Sequence, residues 1–271
     1  MNPFLLALVQ AGIIDQATAE QMNRSIDPVA ARAWGEQQLA IAMQSGLSAQ
    51  QQRLVAMLRQ TNGNLSPRAL DAFWAQENDR LYASLQGALD TIASERAIGI
   101  VVSMGNESMW GHVNQAVLDW THNYYTSADP DFVGSIPNLN QTSRQQFADT
   151  FRQWQTGDLP SRRGGLPDLV DALAQNDTFG PARAGKIAIT ETTRIFSEST
   201  VASASADDAV THLRWLTAND ELVCDICGPL ANQVIEKGER FQFEGGGGFP
   251  PAHVNCRCEI VEETAETVNN G

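Results

Sequence analysis

The sequence predicts an α+β protein, a mainly helical N-terminal part followed by a small antiparallel β-sheet domain at the C-terminal end. Three observations carry this. Apolar residues recur at intervals of three and four through most of the first 200 residues, the period of helices that bury one face. Over residues 211–217 the pattern becomes alternation, the period of a strand covered on one side. All four cysteines then fall in two short runs beyond that change.

The helical part reads as short helices with polar breaks over residues 2–60. Asp15 is placed to cap a helix through Ser25, and Pro28 marks the next start. Ser48 and Gln51 have capping-box spacing ahead of Leu54, Val55, Met57 and Leu58. The apolar run over residues 4–14 lacks a basic flank and a small-residue cleavage site. It is also far shorter than the roughly 20 residues that span a bilayer, so it is read as a helix packed on the body or on a neighbouring subunit.

Asn62-Gly63-Asn64 is a turn, and Ser66-Pro67 supplies a cap and a first-turn proline for the longest pattern. Leu70, Phe73, Trp74, Leu81, Leu85, Ala88, Leu89 and Ile92 make one stripe that extends towards Met104, and Gly105 ends it. The repeat is not strictly heptad, which favours a bundle helix over a coiled coil.

Residues 110–125 resume the helical period with Val113, Val117, Trp120 and Tyr124 on one side. A loop over residues 129–137 leads to a helix over 143–155 with Phe147, Phe151 and Trp154. His112 and His122 are not read as ligands. A polar connection bearing Arg162-Arg163 precedes a short helix over 166–173. Phe179-Gly180-Pro181 then breaks the chain before a helix holding Arg183, Ile187, Glu191, Arg194 and Ile195. Glu191 and Arg194 are spaced to pair along one face, either as an exposed ion pair or with Glu191 or Arg183 buried towards the following sheet.

In the alternating stretch Leu213, Trp215 and Thr217 share one face, with His212, Arg214 and Leu216 on the other. Further strands are expected over 234–243 about a Lys237-Gly238 turn, and residues 257–261 would close the sheet. Residues 262–271 read as an acidic, flexible tail. Three segments result: a helical region over 1–105, an α+β domain over 106–261, and the tail.

Cys224-Asp-Ile-Cys227 has the spacing that turns two sulfurs towards one ion, and Pro250-Pro-Ala-His253-Val-Asn-Cys256-Arg-Cys258 supplies three more donors. Thiolate and imidazole in this pattern suit one structural Zn²⁺ per chain, which needs four of Cys224, Cys227, His253, Cys256 and Cys258. Cys256 and Cys258 face the same way on a strand, whereas His253 and Cys256 make a knuckle-like pair that leaves Cys258 a bystander. The glycines before Pro250 would fold the second arm back onto the first. Disulfides are the alternative, expected in small secreted chains rather than in one of 271 residues with no secretory signal.

The net charge of −14 excludes nucleic acid as a main direct partner, since phosphate is gripped by clustered Lys and Arg, and the only lysines here are Lys186 and Lys237. An excess of donors, with no His-Glu-x-x-His helix, excludes a hydrolytic zinc centre of that type. A reducing cytoplasm is the expected place of synthesis, and no membrane partner is expected.

The succession Arg183-Ala-Gly-Lys-Ile-Ala-Ile-Thr-Glu191-Thr, Trp215-Leu-Thr-Ala-Asn-Asp220, Cys224-Asp-Ile-Cys227 and Pro-Pro-Ala-His253-Val-Asn-Cys256-Arg-Cys258 resembles the phage head morphogenesis family, minor head proteins similar to protein F of phage Mu. The glycine run is longer than that family's pattern and the Asn219-Asp220 turn differs, but neither removes a ligand. The resemblance implies a virion protein made in the infected cell and held inside the head at the portal vertex. Its partners would be the portal protein, other head components and further copies of itself, and in some relatives the protein is delivered with the DNA. It implies no catalysis. The competing reading is an enzyme carried in the head, a nuclease using His253 and Asn255 or a transferase using Arg183 and Glu191, and no acid–base constellation supports it.

Overall fold

The computed structural model describes residues 6, 9–12, 15–105, 107–160, 165–217, 223–244 and 246–270. The apolar run over 4–14, the Arg162-Arg163 pair and the Asn219-Asp220 turn lie wholly or partly outside them. The chain divides into two units, one of residues 1–37, 88–121 and 188–271, the other of residues 38–87 and 122–187. No helix among the described residues is long and apolar enough to cross a membrane.

The elements run α1 (Gln16–Ile26), α2 (Pro28–Gln60), α3 (Pro67–Met104), α4 (Trp110–Thr126), α5 (Ile136–Thr156), α6 (Leu166–Ala174), α7 (Pro181–Ala206), then β1 (Val210–Leu216), β2 (Val234–Glu236), β3 (Phe241–Phe243), β4 (Gly246–Gly248), β5 (Glu259–Thr264) and α8 (Ala265–Asn270). The mainly helical architecture with a small C-terminal antiparallel sheet is thus as expected. Asp15 caps α1 by accepting the Thr18 N–H at 2.7 Å. Gly105, at φ 67°, ends α3.

Three elements differ from the sequence reading. Ser48 caps nothing: α2 runs unbroken from Pro28 to Gln60, and Ser48 accepts a side-chain bond from Gln44 one turn earlier. Burial of Leu39, Met43, Leu47, Leu54 and Leu58 along one face outweighs the local capping signal. The helix expected from residue 143 begins at Ile136, because Pro137 sits in the first turn, where a missing N–H costs nothing. At the C-terminal end, residues 262–264 belong to β5 and residues 265–270 form α8, where a flexible tail was expected. Antiparallel pairing with β1 takes in residues 262–264.

The unit of residues 38–87 and 122–187 packs Leu54, Leu58, Phe73, Trp74, Phe147, Leu169, Leu173 and Phe179 into its core. Buried Glu77 takes two bonds from Arg53 and a third from Arg80. Arg183 is held here too, donating to Ser143 Oγ and to the carbonyls of Leu139 and Thr178.

In the other unit β1 is the central strand of a sheet ordered β2-β1-β5, antiparallel throughout, with Trp215 opposite Ile260 and Leu213 opposite Ile235. β3 and β4 form a separate ribbon in which Phe241 faces Gly248. The ribbon and sheet share one core of Leu213, Trp215, Leu230, Phe241 and Ile260, and three of the cysteines lie inside it. Trp215 is wholly buried, with Phe241 edge-on at 5.1 Å.

Candidate metal centre

Two arms of chain bring the sulfurs together. The first follows β1: the Gly228 N–H bonds back to the Cys224 carbonyl at 2.8 Å, closing the Cys-x-x-Cys turn. Leu230, two residues further on, anchors that turn in the core. The second arm runs from β4 to β5. The Cys256 N–H reaches the His253 carbonyl at 3.2 Å, and Asn255 takes the left-handed conformation at φ 64° to reverse the chain. Asn tolerates that region better than most residues.

His253 Nδ1 lies 2.8 Å from the Val254 carbonyl. A carbonyl only accepts, so Nδ1 carries a proton, and in the neutral ring Nε2 then keeps its lone pair. That bare nitrogen sits 3.1 Å from Cys224 Sγ and 3.2 Å from Cys227 Sγ. A backbone carbonyl fixing the far nitrogen of an imidazole is the usual support of a metal-binding histidine.

The five donors form two triads sharing Cys227: Cys224, Cys227 and His253, and Cys227, Cys256 and Cys258. Within each, the donor atoms all lie within 4.8 Å of one another. Cys227 and Cys256 are 3.8 Å apart, the edge expected of a tetrahedron with Zn–S bonds of about 2.3 Å. The imidazole-to-sulfur distances are a few tenths shorter than the corresponding N–S edge, about 3.6 Å, so slight opening seats an ion. All four cysteines are free thiols. The donor set therefore fits a soft or borderline divalent metal ion.

Electrostatics point the same way. A hydrogen bond from Cys258 pulls the Cys256 thiol down to about 5, against the cost of its burial and with help from backbone N–H groups. Burial, then the charge on Cys256, pushes Cys227 up to about 12. The hydrogen bond to Cys256 and burial push Cys258 up as well.

The five predicted donors are all at this site. His122 instead meets the Tyr82 hydroxyl at 2.9 Å through Nδ1. Arg183 and Glu191 have separate partners, Glu191 accepting from Arg194 at 3.0 Å while 4% exposed. The pair with Arg194 forms within α7, with Glu191 buried rather than exposed. Sequence reasoning missed Thr190 and Thr193, which bond to the backbone of the second arm. Hydroxyls on a helix carry no signal of a contact more than sixty residues away.

The comparison with known families falls on this same stretch. A family model described as Phage Mu protein F like protein matches residues 162–261. Residues 162–261 are thus similar to phage Mu protein F-like proteins. The Mu F-like segment takes in α6, α7, both arms, β1 to β4 and half of β5, and starts some twenty residues ahead of the motifs that suggested it. No curated protein and no solved structure matches the chain.

Proposed function

We propose that the protein is a non-catalytic minor head protein acting in phage head morphogenesis, held inside the head at the portal vertex and leaving with the DNA on ejection. One observation carries the reading: the Mu F-like match coincides with the segment that folds into the two donor arms and their sheet. The helical remainder, residues 1–105 foremost, makes the contacts with the portal protein, other head components and further copies. The charge of −14 suits protein partners over packaged DNA.

In this reading Cys224, Cys227, His253 and Cys256 hold one Zn²⁺, and Cys258 remains a buried thiol beside Cys256. The ion supplies a closed cross-link between the arm after β1 and the arm before β5, in a domain whose strands are three to seven residues long. Four protein donors leave no coordination position for water, which is why the role is structural.

The test is assembly. In particles made with Cys224→Ser or Cys256→Ser protein, incorporation should fall steeply, and Cys258→Ser should be incorporated near the wild-type level. Wild-type protein absent from purified heads would sink the head-protein reading. Ligand variants incorporated as well as wild type would sink the role given to the metal.

A further inference from the structure

Three consecutive residues of the second arm have their backbone held by side chains from distant helices. The Asn255 N–H donates to Thr190 Oγ1 at 3.0 Å. The Cys256 carbonyl accepts from Thr193 Oγ1 at 2.8 Å. The Arg257 carbonyl accepts from the Arg32 guanidinium at 2.7 Å. Thr190 and Thr193 are three residues apart, so they stand one above the other on a single face of α7. Arg32 comes from α2, where its guanidinium also lies over the Phe196 ring, 5.5 Å from the centroid. One turn on, Glu36 of α2 reaches the Arg257 side chain at 3.4 Å.

We propose that Thr190, Thr193 and Arg32 are positioning residues for the metal: they fix the arm from Asn255 to Arg257 so that His253 and Cys256 are presented in binding geometry before the ion arrives. The proposal rests on the metal-site reading above. Thr193 is wholly buried, so water cannot replace its bond to the Cys256 carbonyl. The Thr190 bond falls on the one residue of the arm in a left-handed conformation, where the chain most needs support. The turn of the first arm is closed by local backbone bonds from Gly228 and Leu230. Preorganising one arm lowers the cost of ordering the site, and it ties metal loading to the packing of α2 and α7 in this unit.

The experiment compares zinc dissociation constants of full-length wild type, Thr193→Val, Thr190→Val/Thr193→Val, Thr193→Ser and Arg32→Gln, by competition with a chromophoric chelator. Thr193→Val keeps the volume and loses the hydroxyl. It should bind zinc about tenfold to a hundredfold more weakly, the range for residues that orient metal ligands. The double variant and Arg32→Gln should also weaken binding, and Thr193→Ser, which restores the hydroxyl, should recover it. Wild type that binds zinc beside Val and Gln variants of equal affinity would overturn the positioning role and leave the metal site standing. Wild type that binds no zinc would overturn both. If the valine variants do not fold, Arg32→Gln decides between these outcomes.

Discussion

The Nε2 atom of His253 faces Cys227 Sγ at 3.2 Å because the opposite ring nitrogen is spent on the Val254 carbonyl. That pairing joins the two arms, with Cys227 the thiol common to both donor triads. Cys227→Ser should therefore abolish metal binding, whereas Cys258→Ser should retain one zinc per chain. Elemental analysis of the two purified variants checks this.

Chelation should act like a ligand mutation. A closed site contributes its binding free energy to folding, on the order of 10 kcal/mol for structural zinc. Excess EDTA should therefore lower the melting temperature of the wild type, and added zinc should restore it. Calorimetry with and without chelator is the measurement. An unchanged transition would mean that the sheet holds without the ion.

Glu77 gives the acid limb of stability. Burial pushes its carboxyl up, but the bonds from Arg53 and Arg80 outweigh that and hold it below the usual range. A folded-state value below the unfolded one means that the stabilisation is complete above the unfolded value of about 4.5 and is lost as pH falls through the folded one. Glu77→Gln should lower stability at pH 7. Its denaturation midpoint should approach that of the wild type in acid.

Glu198 on α7 behaves oppositely. Burial raises its carboxyl, and Arg194 and Arg240 only partly compensate. Its ionised form is therefore a cost to the fold, which is relieved as pH falls through the raised value towards the unfolded one. Glu198→Gln should stabilise the protein at pH 7, and the gain should vanish in acid. Urea titrations at the two pH values test the sign.

Two glycines of α3 form a matched pair. A Cβ at Gly99 would run into the Ser25 carbonyl of α1, whereas at Gly87 it would meet nothing within 4 Å. Gly87→Ala should stabilise by about 0.5–1 kcal/mol, the propensity difference between the two residues. Gly99→Ala should destabilise despite the same gain, because backbone must move. Denaturant midpoints of both variants settle it.

Much of this was legible wherever the cause is local. Asp15 caps α1 through a bond to its own first turn, Gly105 ends α3, and the cysteine spacing marks both arms. Where distant partners decide, the sequence misleads. Ser48 looks like a helix start until Leu39 to Leu58 are seen buried along one continuous face. Residues 262–264 look like a tail until Glu262 is paired across from Leu213 and Glu263 meets Arg214. The glycines before Pro250 read as a fold-back of the second arm, and Gly246–Gly248 is a strand paired with Phe241–Phe243. Thr190 and Thr193 look like ordinary helix residues, since their partners are remote in sequence.

The most direct test is the metal content of full-length protein purified without chelator, measured together with its free thiols under denaturing conditions. One zinc per chain with all four thiols titrating is the predicted result. Protein that carries no metal, or that yields fewer than four thiols because they are paired as disulfides, would contradict the closed metal centre.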